Sequence, residues 1–310
     1  MERISILGAG TMGHALAAVF AMGGHPVSLY DINHETLKDA MKRIRTIFEI
    51  INESGINDEQ LSAADLARVT AHTHLADAVR EADIVVEAVV EKPEVKQKLY
   101  NELADLMAPR ALLASNTSHL NIFDLVPAAL QERTLITHWY TPPYIIDLVD
   151  IAPGPETLPE HVQKLADLLV RLNKRPLVFK EFIQGYIANR VQAVINAEVT
   201  SLLDAGLVSA SDVDISIREG LALRMLVLGV LAKADFTDLN LMDSGLRNRA
   251  EPVHSTTLAD LLEKGHVGIK SGQGFYDWKQ ADIDELARER DLRMLEIKKS
   301  LAKAPIMLGK

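Results

Sequence analysis

The chain has 310 residues, 48% hydrophobic and 25% charged, the balance of an ordinary soluble globular protein with material for about two domains. Its formal net charge is −10 and no Lys/Arg-rich block occurs, which argues against nucleic acid or an anionic membrane surface as a partner. There is no cysteine, so disulfides, thiol catalysis and zinc–thiolate sites are excluded.

The first predicted element is a short apolar strand, Ile4-Ser5-Ile6-Leu7. It runs into Gly8-Ala9-Gly10-Thr11-Met12-Gly13 and then a helical run from His14 to Met22. A G-x-G-x-x-G between strand and helix fits a dinucleotide pyrophosphate. The first glycine permits the turn, the second admits the phosphates, and the third lets helix and strand pack closely. The free N–H groups at the helix start complete the anion site, with Thr11 and Met12 in the loop. A second strand, Val27 to Tyr30, ends on Asp31. An acid there binds the ribose 2′-hydroxyl of NAD and repels the 2′-phosphate of NADP. Ile32, Asn33 and His34 offer no arginine to hold that phosphate. Residues 4–30 carry no charge, yet glycines, Pro26 and two histidines interrupt the run. We read neither a membrane span nor a signal peptide, and a cytoplasmic location is the expectation.

Helical character follows over His34 to Asn52, then a strand Asp83 to Ala88 and a helix over Pro93 to Met107. Strands are predicted at Ala111 to Ala114, Leu135 to Thr137 and Ile145 to Ile151, then a helix Thr157 to Leu172 and a strand Pro176 to Phe179. This alternation predicts an α/β, Rossmann-type, doubly wound and mostly parallel sheet. Near Gln184-Gly185 the pattern changes. From Ile187, apolar residues at Val191, Val194, Ile195, Val199, Leu202 and Leu203 have helical spacing with a wide apolar face. Gly206 is placed to end that helix and Ser209 or Ser211 to cap the next. A last amphipathic helix is predicted from about Ala281 to Lys303. The expected domains are therefore a nucleotide-binding domain over 1–183 and an all-α substrate and dimerisation domain over 184–310.

Four polar positions stand out. Ser115-Asn116-Thr117-Ser118 and His138 follow predicted strands, at the carboxyl ends that line the ligand crevice of an open α/β sheet. Asp150 shares a strand face with Ile146 and Leu148, where an unpaired carboxylate is costly. Asn189 lies one turn into the long helix. His72 and His74 face one way on a strand, but no neighbouring ligand set supports a metal. Lys270-Ser271 lacks the glycine of a P-loop, and the aliphatic run Met225 to Ala232 is too short to span a bilayer.

Across nearly its whole length the chain resembles the NAD-dependent L-3-hydroxyacyl-CoA dehydrogenase family, which includes L-gulonate 3-dehydrogenase, lambda-crystallin and L-carnitine dehydrogenase. The resemblance is carried by Gly8–Gly13, Asp31, Glu87-Ala88-Val89-Val90-Glu91 with Lys96, Ser115-Asn116-Thr117-Ser118 and His138. It continues through Leu148-Val149-Asp150, Gly185-Tyr186-Ile187-Ala188-Asn189-Arg190 and Ile269-Lys270-Ser271-Gly272-Gln273-Gly274-Phe275-Tyr276. It implies that His138 is the general base, removing the hydroxyl proton as the adjacent carbon gives hydride to nicotinamide. Asp150 would orient His138, Ser115 and Asn189 would bind the substrate oxygen, and Glu91 and Lys96 would contact NAD. No metal is implied, and the partner is a small-molecule substrate.

Three departures bear on this. Asp150 stands where the family usually has Glu, His138-Trp139-Tyr140-Thr141-Pro142 replaces its His-Phe-Phe-Asn-Pro, and His119 replaces a common Ser, making it a rival base. The leading expectation is a 3-hydroxyacyl-CoA substrate. The alternatives are a small free hydroxy acid or an inactive crystallin-like protein. Residues 46–67 hold Glu49, Glu53, Asp58, Glu59 and Asp65 but no Lys or Arg, which predicts weak recognition of CoA phosphates. Lys38, Lys42, Arg43 and Arg45 lie just upstream.

Overall fold

The computed structural model describes residues 1–57, 59–249 and 251–302. The chain divides into two compact units, Met1–Gln192 and a second from Ala193 onward.

The first unit is built on one eight-stranded sheet: β1 (Ile4–Leu7), β2 (Val27–Tyr30), β3 (Val69–His72), β4 (Ile84–Glu87), β5 (Leu112–Ser115), β6 (Thr134–Trp139), β7 (Leu148–Pro153) and β8 (Arg175–Val178). Their order is β3-β2-β1-β4-β5-β6-β7-β8, the doubly wound arrangement expected. All pairings are parallel except β6–β7, which sets His138 directly opposite Asp150. Strands β1, β4 and β5 are buried at every residue, as near-continuous apolar runs covered by helices on both faces should be.

The helix Gly13–Met22 is buried over Ala15–Ala21, and its alanines allow close approach to the sheet. The helix His34–Ser54 is amphipathic, burying Leu37, Ala40, Ile44, Ile47, Phe48 and Ile51 at three- and four-residue spacing. Asn33 caps its start, accepting the Glu35 and Thr36 N–H groups, and Gly55 ends it with φ +65°. Each fully buried aliphatic or phenyl side chain here contributes about 1.5–3 kcal/mol.

Some element bounds differ from the expected ones, and Ser115 ends β5 instead of following it. Val69–His72 was not counted in the sheet, because an edge strand with one buried residue shows little apolar signal. His138 lies within β6 rather than after it, and β7 begins at Leu148, leaving Ile146 in the preceding turn.

The second unit is helical. The helix Tyr186–Asp204 runs into it from the first, and Gly206 follows with φ +66°. Ser209 and Asp212 form a capping box for the helix Ala210–Ile215. The aliphatic run from Met225 is broken at Gly229 between the helices Leu223–Leu228 and Leu231–Thr237. The last helix is described from Ile283 to Ala302; its expected end, Lys303, lies outside the described residues, as does Asp58. Asp235, 1% exposed, accepts the Phe275 and Tyr276 N–H groups and the Trp278 indole N–H, all at 2.9 Å. A side chain at Gly274 would place its Cβ 2.1 Å from that carboxylate. The glycine-rich stretch 268–276 is thus a turn folded onto Asp235. Among the described residues, no helix is long and apolar enough to cross a membrane and no group of three metal-ligating side chains occurs.

Candidate active site

The loop between β1 and the first helix is held by contacts that only glycine permits. Gly8 has φ +95°, and a Cβ there would lie 2.7 Å from the Ala88 carbonyl oxygen. A Cβ on Gly13 would lie 1.6 Å from the Gly8 oxygen, whereas one on Gly10 would meet nothing within 4 Å. The crowded glycines shape the turn, and Gly10 borders open space that suits a pyrophosphate. No side chain caps the helix that starts at Gly13, so its leading N–H groups remain available to an anion. Thr11 is exposed, and the Met12 sulfur accepts the Thr141 hydroxyl at 3.1 Å, linking the loop to the chain after β6.

Asp31 sits at the end of β2, where its two oxygens accept the Ala9 and Asn33 N–H groups at 2.9 Å each. It borders a cavity of about 440 Å³ with Gly8, Gly10, Tyr30, Val89 and Leu99. Asp31, an acceptor for ribose hydroxyls, beside a largely apolar slot that Lys98 and Glu102 also border, offers what an adenosine requires. The residues present fit NAD.

A buried ionic network lies behind this crevice. Glu87, at the end of β4 and with no exposed surface, accepts the Lys96 ammonium at 2.7 and 2.8 Å. It also accepts the hydroxyls of Tyr100 and Ser115, each at 2.6 Å, and the Val89 N–H at 2.9 Å. Burial, and next the Glu87 charge, push the Tyr100 phenol well above its ordinary range, so it stays a donor. Lys96 reaches on to Glu91 at 3.2 Å. Burial alone would raise Glu91. The Thr117 hydroxyl, Lys96 and the His119 N–H outweigh it and hold the carboxyl below its usual range.

The third group centres on β6 and β7. His138, 3% exposed, places Nδ1 3.3 Å from Asp150 Oδ2. With that N–H donated to the carboxylate, Nε2 is left to accept a proton. It lies 3.5 Å from the Asn189 side-chain amide. The ring stacks on Tyr186 at 4.3 Å and meets Tyr140 edge-on at 4.6 Å. Tyr140 also donates to Asp150 Oδ2 at 2.6 Å. Tyr186 is fully buried at φ +47° and held by donation to the Thr117 carbonyl at 2.8 Å. An imidazole, a carboxylate and an amide therefore converge, an arrangement chemically able to take a proton from a hydroxyl.

Two of the expected contact residues are engaged within the protein. Ser115 has no exposed surface, and its hydroxyl bonds to Glu87 and Tyr100. Lys96 is equally buried, and its ammonium serves Glu87 and Glu91 instead of open space. Ser118 is half-buried, with its N–H on Glu91. His119 is exposed, and its ring takes no carboxylate partner among the described residues. The sequence reading missed the roles of Glu87, Tyr100, Tyr140 and Tyr186. Glu87 alone had a signal, an acid closing an otherwise apolar strand.

The model for the 3-hydroxyacyl-CoA dehydrogenase NAD-binding domain matches residues 3–182, and that for the 3-hydroxyacyl-CoA dehydrogenase C-terminal domain matches residues 185–278. The chain is 27% identical over 309 residues to a 5-formyl-3-hydroxy-2-methylpyridine 4-carboxylate 5-dehydrogenase of Mesorhizobium japonicum, covering 97% of this chain and 98% of the relative. It is 31% identical over 230 residues to the human lambda-crystallin homolog, covering 74% and 72% of the two chains. Among solved structures, a 3-hydroxyacyl-CoA dehydrogenase of Archaeoglobus fulgidus superimposes with a TM-score of 0.80 at 26% identity, covering 97% of this chain and 99% of that one.

Proposed function

The chain belongs to the 3-hydroxyacyl-CoA dehydrogenase family, and from that premise we propose that it oxidises the 3-hydroxyl of an acyl-CoA with His138 as general base. The observation that carries this reading is the buried His138–Asp150 pair with Nε2 facing the Asn189 amide. NAD is the cofactor, and when bound it accepts the hydride. The chain's own residues do the rest. His138 Nε2 takes the hydroxyl proton. Asp150 holds the ring in one tautomer and stabilises the imidazolium, and the face of Tyr186 adds cation–π stabilisation. The Asn189 amide donates to the substrate oxygen as its charge grows. Burial of the pair keeps bulk water from the reacting atoms. Replacing Asp31 with alanine is expected to narrow the preference for NAD over NADP, read as the ratio of the two kcat/KM values; equal wild-type efficiencies would remove the assigned role of Asp31.

A second reading is a small free hydroxy acid. The charges after β2 favour it. Lys38 and Lys42 lie against Glu35 and Asp39 at 3.7 and 3.2 Å, leaving Arg43 and Arg45 as the cations of that helix without a carboxylate partner among the described residues. Exposed charge contacts contribute only about 0–1 kcal/mol each. The Mesorhizobium relative's name supports a non-CoA substrate as well. The deciding measurement compares kcat/KM for 3-hydroxybutyryl-CoA with that for 3-hydroxybutyrate, L-gulonate and L-carnitine, at low and high salt. We expect turnover of the CoA ester with little salt sensitivity. A strong, salt-sensitive preference would overturn weak CoA recognition, and activity confined to a free acid would overturn the acyl-CoA assignment.

We also propose that the protein is a homodimer. The helix Tyr186–Asp204 leaves Ile187, Val191 and Val194 exposed at 54%, 43% and 67%, an apolar stripe suited to a second copy. Light scattering should give twice the chain mass for the wild type and the chain mass for Val194→Glu; a wild-type monomer would overturn this.

A further inference from the structure

Asp150 is 1% exposed, and its two oxygens are treated unequally. Oδ1 has no hydrogen-bond partner among the described residues. Oδ2 receives both donors, the Tyr140 hydroxyl at 2.6 Å and His138 Nδ1 at 3.3 Å. The shorter bond belongs to the tyrosine. A carboxylate carrying one strong donor has less charge to offer a second donor on the same atom. The same bond also fixes where the carboxylate lies along its side-chain torsion, at a distance from the imidazole longer than a charge-assisted contact prefers.

We propose that Tyr140 is a positioning residue that holds Asp150 off His138 and so sets the pH at which the base becomes active. This rests on His138 being the base. The other titratable groups facing the imidazole leave room for that control. Asp150 comes from β7, Tyr186 from the start of the long helix, and Tyr140 from the chain just after β6. Glu91, after β4, acts on Tyr186, but its carboxylate is already paired with Lys96. Burial, followed by the bond to Asp150, raises the Tyr140 phenol, so it remains a donor across the working pH range. The Tyr140 ring packs edge-on to His138 as phenylalanine also would, so removing the hydroxyl alone keeps the packing.

The test is the pH profile of kcat/KM for Tyr140→Phe, using whichever substrate of the panel above is turned over fastest. Without the hydroxyl, Asp150 is released toward His138 and its charge is undivided. The acid limb should move up by about 0.5–1 unit, a fraction of the effect of a full neighbouring charge. NADH affinity, read by fluorescence, should be unchanged. A second variant carries difluorotyrosine at position 140. Its more acidic phenol is a stronger donor, and the limb should move down. Limbs that stay in place in both variants, or that shift the same way in both, overturn the proposal. If Tyr140→Phe does not fold, the fluorinated variant decides alone: a downward limb supports the proposal and an unmoved or raised one overturns it. Should His138→Ala keep its activity, the assignment of the base fails on its own, separately from anything Tyr140 does.

Discussion

His138→Ala is expected to lower turnover roughly 10²–10⁴-fold, the range for removing a positioned general base, with NADH binding almost unchanged. The two readouts separate because His138 packs against Asp150, Asn189 and two tyrosines, while the adenosine cavity is formed around Asp31 and the glycine loop. Asp150→Asn should reduce activity as well, since the amide can present an N–H to Nδ1 and favour the wrong tautomer. Steady-state kinetics with a fluorescence titration of NADH checks both variants. Activity that survives in His138→Ala and vanishes in His119→Ala would transfer the role to the exposed histidine.

The largest expected loss of stability comes from Lys96→Met. The ammonium has no exposed surface and neutralises Glu87 directly, with Glu91 at 3.2 Å. Methionine keeps the volume but leaves a fully buried carboxylate without its cation. Breaking one half of a buried pair costs about 3–5 kcal/mol. Equilibrium urea unfolding followed by circular dichroism should show a loss of that size. The double variant Lys96→Met with Glu87→Gln should lose less than the sum of the two single variants, because the stranded charge is gone. A single-variant loss below about 1 kcal/mol, the size of a surface pair, would show that the network contributes little.

The parts legible in the sequence were those specified by local order. Gly8, Gly10 and Gly13 sit at the spacing that one turn demands, and Asp31 follows the next strand, so the glycine turn and the acid beside it could be read residue by residue. The pairing of His138 with Asp150 was expected from resemblance, and the antiparallel register of β6 and β7 accounts for it. What could not be read was facing. Ser115 and Ser118 are three residues apart in one polar segment, yet one turns into the sheet toward Glu87 and the other stays half exposed. The Glu87 cluster joins β4, β5 and the helix Pro93–Leu106, so no single segment displays it. In the sequence Tyr140 stands out only as a departure from the family pattern. Its bond to Asp150 depends on the geometry of the chain leaving β6, and spacing does not encode that.

The reversal of chain direction between β6 and β7 has a consequence for how this scaffold can diversify. His138 and Asp150 are aligned by rungs of main-chain hydrogen bonding, one residue directly across from the other. The connection from Thr141 to Asp147 takes no part in that alignment. Its length can therefore change without moving His138 and Asp150 out of register. A sheet that indexes two residues by strand register keeps them face to face whatever the connection between them comes to touch.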